Sequence, residues 1–206
     1  MRLKIIYISL LSLFFISCEE NKIENEEMSI ISSIYNSLPK FIPPPPPING
    51  HEEDTLKKSI KRKSIRYAIN KNFRNDKFGK NVSNAFYKFS DKKRLSVDST
   101  YWSLVKRLVK QKKITESVNE KKLNDYLNES SVFLNQKNIT SEDKKKFNIN
   151  IILSFSKVVF NSSINKAAIS VSNYSDSLDA SVIIYLLEKI DDIWIIKYHE
   201  VISEIT

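Results

Sequence analysis

Apolar and polar positions alternate with three different periods along this chain. From Asp98 the period is helical: Tyr101, Leu104, Val105, Leu108 and Val109 fall on one face, with Lys106, Arg107 and Lys110 on the other. Asp98 suits the cap of this helix, and Lys110, Lys112 and Lys113 suit the negative end of its dipole. Ser117 and Glu120 have the spacing of a capping box, which predicts a second helix with Leu123, Tyr126 and Leu127 as a narrow apolar stripe. Thr140 to Asp143 predicts one more short helical turn. Upstream, Ile60, Ile65, Tyr67 and Ile69 alternate in part, so a strand is expected near residues 63–70, followed by a loop with a short helical piece from Asn72 to Lys93.

From Ile149 the period is two, the signature of strands buried on one face. Ile149, Ile151, Leu153 and Phe155 are expected to share a face, and beyond Lys157 the apolar phase moves by one residue to Val158 and Phe160. A phase change inside a strand predicts a β-bulge or a sharp bend. Ala167, Ile169 and Val171 continue the pattern, then residues 181–190 are apolar on both faces, and the last strand runs over 193–202. Asp191-Asp192 leaves room for a two-residue hairpin turn. A strand apolar on both faces belongs in the middle of a sheet, under a helix. The expected fold is therefore α+β: a four- or five-stranded curved antiparallel sheet with helices on one face, in a cystatin-like or NTF2-like arrangement.

The N-terminal pattern is of a different kind. Arg2 and Lys4 precede an apolar run from Ile5 to Ile16, about 18 Å long as a helix and too short for a hydrocarbon core of about 30 Å. That order is one of a cleaved signal peptide. Its end, Phe15-Ile16-Ser17-Cys18, resembles the bacterial lipobox, with Ser17 in its usual place and Phe15 and Ile16 departing from the common form. The resemblance implies a diacylglyceryl thioether on Cys18, cleavage before it, acylation of the new amino group and a palmitate-type membrane anchor. Glu19 and Glu20 resemble the export signal of surface lipoproteins in Bacteroidota. The expected organisation is a signal peptide over 1–17, a flexible tether with a proline stalk over 18–50 and one α+β domain over 51–206. Within the tether, Met28 to Leu38 holds enough apolar residues for a transient helix or a docking segment, and Pro43 to Pro47 form a polyproline rod of about 15 Å.

Composition narrows the chemistry. Removing residues 1–17 takes away two positive charges and no negative ones, so a chain of formal charge +9 stays basic. With a single cysteine, Cys18, there is no internal disulfide and no thiolate metal site. Two glycines leave no phosphate-cradling loop or dinucleotide fingerprint. The basic cluster from Lys57 to Arg66 reads as a solvated face; anionic headgroups or surface glycans fit it better than nucleic acid, which an exported protein rarely meets.

The segments "ILSFSKVVFN", "NKAAISVS" and "IYLLEKIDDIWIIKY" resemble the C-terminal part of a group of uncharacterised Bacteroidota lipoproteins, over residues 151–199. The group's glycine-rich turn is replaced here by "SDSLDA". The resemblance implies a cell-envelope location and no particular activity.

No catalytic residue, cofactor or metal ligand is expected. His51 lies beside the proline run; His199 and Glu200 are neighbours on a strand and point to opposite faces. Glu188, Asp191 and Asp192 read as solvated carboxylates beside a turn, and Ser154 and Ser156 as residues that manage the bend. Trp194, Ile196 and Tyr198 are expected to share a face with Tyr185 nearby, as core packing under the helix of Tyr101, Leu104 and Leu108; lining of a ligand pocket is the alternative. The expected function is a lipid-anchored, non-enzymatic domain that binds an envelope protein, glycan or small ligand, at the periplasmic or surface face of the outer membrane. A small envelope hydrolase is the runner-up. A polar cavity with two carboxylates would favour the hydrolase; a filled core or an apolar cavity would favour binding.

Overall fold

The computed structural model describes residues 21–42, 64–74, 97–111, 114–135, 140–175 and 180–205. In chain order these form helix α1 over residues 21–37, strand β1 (Tyr67–Asn70), helices α2 (Thr100–Val109) and α3 (Glu120–Tyr126), strand β2 (Val132–Leu134), helix α4 (Ser141–Lys146), and strands β3 (Ile151–Phe155), β4 (Val159–Phe160), β5 (Lys166–Tyr174), β6 (Ala180–Ile190) and β7 (Ile193–Ile205). The fold is α+β. Its seven-stranded open sheet has the order β2-β1-β3-β5-β6-β7, with β4 also paired to β5.

The second half of the chain forms the antiparallel meander that its period-two pattern predicts, β3-β5-β6-β7. Phe155 pairs with Val171 and Val159 with Ala168, so β3 and β4 spend one more residue than β5 over the same stretch. That bulge is the observed form of the phase change: Leu153 and Phe155 before it, and Val158 and Phe160 after it, pack into the same cluster. Ser156 sits in the bend, its Oγ accepting from the Ser170 amide at 3.0 Å and donating to the Lys157 carbonyl at 3.1 Å. Ser154 Oγ accepts from Asn70 Nδ2 at 3.0 Å. Ile149 lies before the strand and packs with Ile152 on the other face, away from Leu153 and Phe155. The β6–β7 turn is Asp191-Asp192, both at positive φ (48° and 62°), which suits the right-handed twist of a two-residue hairpin. Strand β6 is central as expected: Tyr185 and Leu187 enter one apolar cluster, Ile184 and Leu186 the other.

The sheet departs from expectation in three ways. It has seven strands and lies open and uncurled, where four or five curved strands were expected. It is mixed, because β1 runs parallel to both β2 and β3. A β2 of three residues is too short to show a period in the sequence. Helices cover both faces: α2 packs on one, through Tyr101, Leu104, Val105 and Leu108, and α1 and α3 on the other.

Helix α1 is the largest correction. It lies inside the segment expected to be a flexible tether, yet Met28, Ile30, Ile31 and Ile34 are at most 1% exposed and Tyr35 is buried. Apolar residues at 28, 31 and 35, and at 30, 34 and 38, recur three or four apart, which places one face of the helix on the sheet. Its C-terminal end meets the start of β1, where the Tyr67 hydroxyl donates to the Pro39 carbonyl at 2.8 Å. Its N-terminal end therefore lies toward the sheet end that carries the β6–β7 turn, where Glu26 bonds Lys189. The domain includes residues 21–38. Residues 1–17, expected to be a signal peptide, lie outside the described residues, as do Cys18, the proline run, His51 and the basic residues 57–63.

The helix starts follow local chemistry. The short helical turn expected from Thr140 to Asp143 is α4, and Thr140 and Asp143 form a reciprocal capping box at its start. The cap of α3 is Asn119, two residues beyond the expected Ser117, and its side chain accepts from the Lys122 amide at 3.1 Å. Ser117 is held instead in a bridge with Asn72. At α2 the Asp98 carboxylate accepts from the Thr100 amide at 3.0 Å and from Lys166 Nζ at 2.6 Å, which lowers its pKa to about 2.

Candidate functional site

Four chain-distant segments meet in a half-open cleft of about 620 Å³. The first turns of α1 supply Ile23, Glu24, Glu27 and Met28. Phe73 follows β1, Glu116 to Asn119 lead into α3, and Lys157 comes from the bulge between β3 and β4. The bulge matters here, because its extra residue falls where the Lys157 side chain enters the cleft.

Glu27 is the centre of the polar wall. It is 3% exposed, and both its oxygens are occupied: Oε1 accepts from the Val158 amide and Oε2 from Lys157 Nζ, each at 2.9 Å. Lys157 Nζ also lies 2.6 Å from Glu116 and 4.5 Å from the centre of the Phe73 ring. Burial pushes the Glu27 carboxyl up, against the attraction of Lys157. Burial pulls the Lys157 ammonium down, but the Glu27 charge and the Glu116 hydrogen bond outweigh it and the net shift is upward. The Lys157 shift thus reflects its two carboxylate partners, and the Glu27 shift reflects burial first, with the nearby Glu116 charge as a small addition.

A second pair closes the rim. Glu24 accepts from Asn119 Nδ2 at 2.9 Å and makes a short contact with Lys122, which also reaches Asn21. The Lys122 and Asn119 hydrogen bonds lower the Glu24 pKa. The capping residue of α3 thus also fixes a carboxylate of α1. Three carboxylates and Lys157 line this cleft, with Phe73, Met28 and Ile23 as its apolar part and Lys122 paired to Glu24 beside it. Such a lining can hold a small ligand by stacking and hydrogen bonds, and it favours neutral or cationic groups over anions.

None of the residues expected to line a pocket is in this cleft. Trp194 is buried at 3% exposure on the α1 face, beside Phe160 at 5.8 Å between ring centres. Its Nε1 donates to Glu26 Oε2 at 2.7 Å, and its carbonyl accepts from Ser33 Oγ at 2.9 Å. It packs under α1 and not under α2, as the sequence reading had it. Tyr198 does not share its face. Leu186 pairs with Tyr198 but Leu187 with Ile196, so a second bulge at Lys197 turns Tyr198 to the opposite side, edge-on to Tyr101 at 5.9 Å. Tyr185 is buried on the Trp194 side and stacks on the exposed His199 at 5.8 Å. Core packing, the first reading of Trp194, is what the structure shows. Glu188 pairs with Lys197 and Asp192 with Lys189 at the surface.

Sequence reasoning missed every residue of the cleft. Only the apolar content of Met28 to Leu38, expected as a transient helix or a docking segment, pointed toward it. Among the described residues, no group of three or more His, Cys, Asp or Glu is placed to hold a metal ion, and no helix is long and apolar enough to cross a membrane. No protein-family model, curated protein or solved structure matches the chain.

Proposed function

We propose that this chain is a lipid-anchored protein of the cell envelope whose domain binds a small ligand or partner group in the cleft between α1, Phe73, Asn119 and Lys157. The anchor is Cys18, diacylated at sulfur and acylated at its amino group, holding the protein at the periplasmic or surface face of the outer membrane. Two or three acyl chains anchor durably where one does so only marginally. The observation that carries the binding reading is the wiring of the cleft: a buried Glu27 and a Lys157 shared with Glu116, fixed beside the Phe73 ring. The long helix laid across an antiparallel meander supports a cystatin-like or NTF2-like relationship, from which the parallel β2-β1-β3 edge departs.

A small envelope hydrolase is the second reading, and a specific observation favours it. The cleft, lined about equally by polar and apolar surface, holds the three carboxylates Glu24, Glu27 and Glu116, one with its pKa raised as a general acid requires. Binding is preferred because a general acid must offer its proton to substrate, and both Glu27 oxygens are already engaged by Lys157 and Val158.

Metabolic labelling with palmitate tests the anchor. Cys18→Ala should abolish incorporation and leave the precursor unprocessed; normal labelling of that variant would refute lipidation at Cys18. Assay of the purified protein on ester and glycoside panels tests the alternative. Turnover that disappears in Glu27→Gln, with the fold intact, would replace binding by hydrolysis.

A further inference from the structure

Helix α1 is described from residue 21 and is locked into the core by Met28, Ile30 and Ile31, so only a short stretch of chain separates the proposed lipid from the packed helix. From Cys18 to Asn21 are three chain steps, which reach about 10 Å when fully extended. Whatever surface surrounds the N-terminal end of α1 must therefore lie at the bilayer.

That end of the domain is also where exposed apolar side chains collect. Ile190 and Ile193 flank the β6–β7 turn as a pair, at 41% and 66% exposure, and Ile195 at 42% lies beside them on the face opposite Trp194. Ile23, on the first turn of α1, is 42% exposed. Trp102 is 40% exposed on the first turn of α2, an end tied to the same edge by the Lys166–Asp98 ion pair and the Lys166–Glu188 strand pairing. Five of the eight exposed large apolar residues among those described thus stand at the end of the sheet toward which residue 21 of α1 lies. Three bonds fix the turn to α1: Lys189 to Glu26 at 2.7 Å, Trp194 Nε1 to Glu26 at 2.7 Å, and Ser33 to the Trp194 carbonyl.

We infer that the β6–β7 turn, with Ile190, Ile193 and Ile195, is a membrane-contacting surface that seats in the lipid interface and fixes the orientation of the domain. The inference rests on the lipid anchor proposed above and adds a second, non-covalent contact to it. Exposed apolar residues of this kind insert about 5 to 10 Å into the headgroup boundary. The turn itself carries two exposed carboxylates, Asp191 and Asp192, so seating is driven by apolar burial and is opposed by anionic headgroups. The mouth of the cleft, which Ile23 and Glu24 line, then opens close to the membrane surface.

The test uses the full-length lipidated protein in zwitterionic vesicles. Acylation consumes the Cys18 thiol, so Ile193→Cys supplies a single free thiol for an environment-sensitive fluorophore. Lys145→Cys, on the exposed side of α4 at the opposite end of the sheet, is the reference. The expected result is a blue-shifted label at position 193, several-fold more quenched by spin-labelled lipids than the label at 145, and less shifted when anionic lipid is added. Water-like emission at both positions, in protein that floats with the vesicles, overturns the inference and leaves the anchor standing. Protein that does not float removes the anchor and the inference with it. A shift at 193 that grows with the protein-to-lipid ratio means that a second copy covers the turn, and also overturns it.

Discussion

Helices α1 and α2 cover opposite faces of one sheet and are held by different means. Helix α2 contributes a plain apolar stripe, and its polar contacts lie at its ends: Asp98 with Lys166, and Arg107 to the Phe160 carbonyl at 2.9 Å. Helix α1 contributes a larger apolar face and, beside it, three glutamates that each meet a different lysine. Glu24 pairs with Lys122, Glu26 with Lys189 and Glu27 with Lys157. Partly buried ion pairs add little net stability once desolvation is counted. Their effect on α1 is positional: an apolar stripe alone permits rotation and sliding, and three separate cations do not. Burial fixes how tightly each helix is held, and charge fixes where α1 sits.

The largest test of this contrast removes α1. Four fully buried side chains at about 1.5 to 3 kcal/mol each amount to about 6 to 12 kcal/mol, comparable with a whole-domain stability of about 5 to 15 kcal/mol. A chain beginning at His51 should therefore show no cooperative unfolding transition by circular dichroism in denaturant. A sharp transition would return α1 to the status of a tether. Next comes Trp194→Ala, which empties the site where α1 grips β7 and should cost about 3 to 5 kcal/mol. Leu108→Ala on the α2 side should cost about 2 to 5 kcal/mol, all of it from packing. A loss under about 1.5 kcal/mol at Trp194, measured as a shift in urea midpoint at constant slope, would show that the α1 side is not gripped there.

The smallest effect concerns charge. Glu27→Ala leaves the Val158 amide unpaired and Lys157 short of one partner, at a cost of about 1 to 3 kcal/mol. The pH dependence separates the two cleft glutamates. The Glu27 pKa is raised on folding, so the native state binds the extra proton and stability falls as pH rises from about 4.5 through the raised value. The Glu24 pKa is lowered, so its contribution is present above about 4.5 and lost as pH falls through the lowered value. Denaturant midpoints between pH 4 and pH 8 should therefore decline less steeply in Glu27→Gln than in the parent. An unchanged decline would assign it to other groups.

The meander was legible because each strand carries its own local pattern, apolar on both faces in β6 and near alternation in the others, and the bulge announced itself as a shift of apolar phase beyond Lys157. The Asp191-Asp192 turn, the stripe of α2 and the short helical turn at Thr140 were legible for the same local reason. What escaped is non-local. In β7 Lys197 falls where plain alternation with Trp194 and Ile196 wants an outward polar residue, so nothing marks the bulge and Tyr198 was placed on the wrong face. The parallel pairings of β1 join it across the described helices α2 and α3 to a β2 of three residues, too short to show a period, and across α4 as well to β3. The cleft needs residues from four separate segments, and no one of them reads as a site. Helix α1 was visible in its spacing and was masked by its acidic flank, whose glutamates proved to be its docking contacts.

The grip of α1 on β7 has a kinetic consequence. The bond from Trp194 to Glu26 spans 168 positions and that from Ser33 to the Trp194 carbonyl spans 161, nearly the whole chain. Closing so long a loop is entropically costly and slow, and topologies dominated by such pairings fold late. On a chain made from its N-terminus, the first helix emerges with its apolar face bare and waits for the last hairpin to arrive. Through that interval Met28, Ile30, Ile31 and Ile34 are available to other chains, a period of aggregation risk that a holding chaperone would shorten.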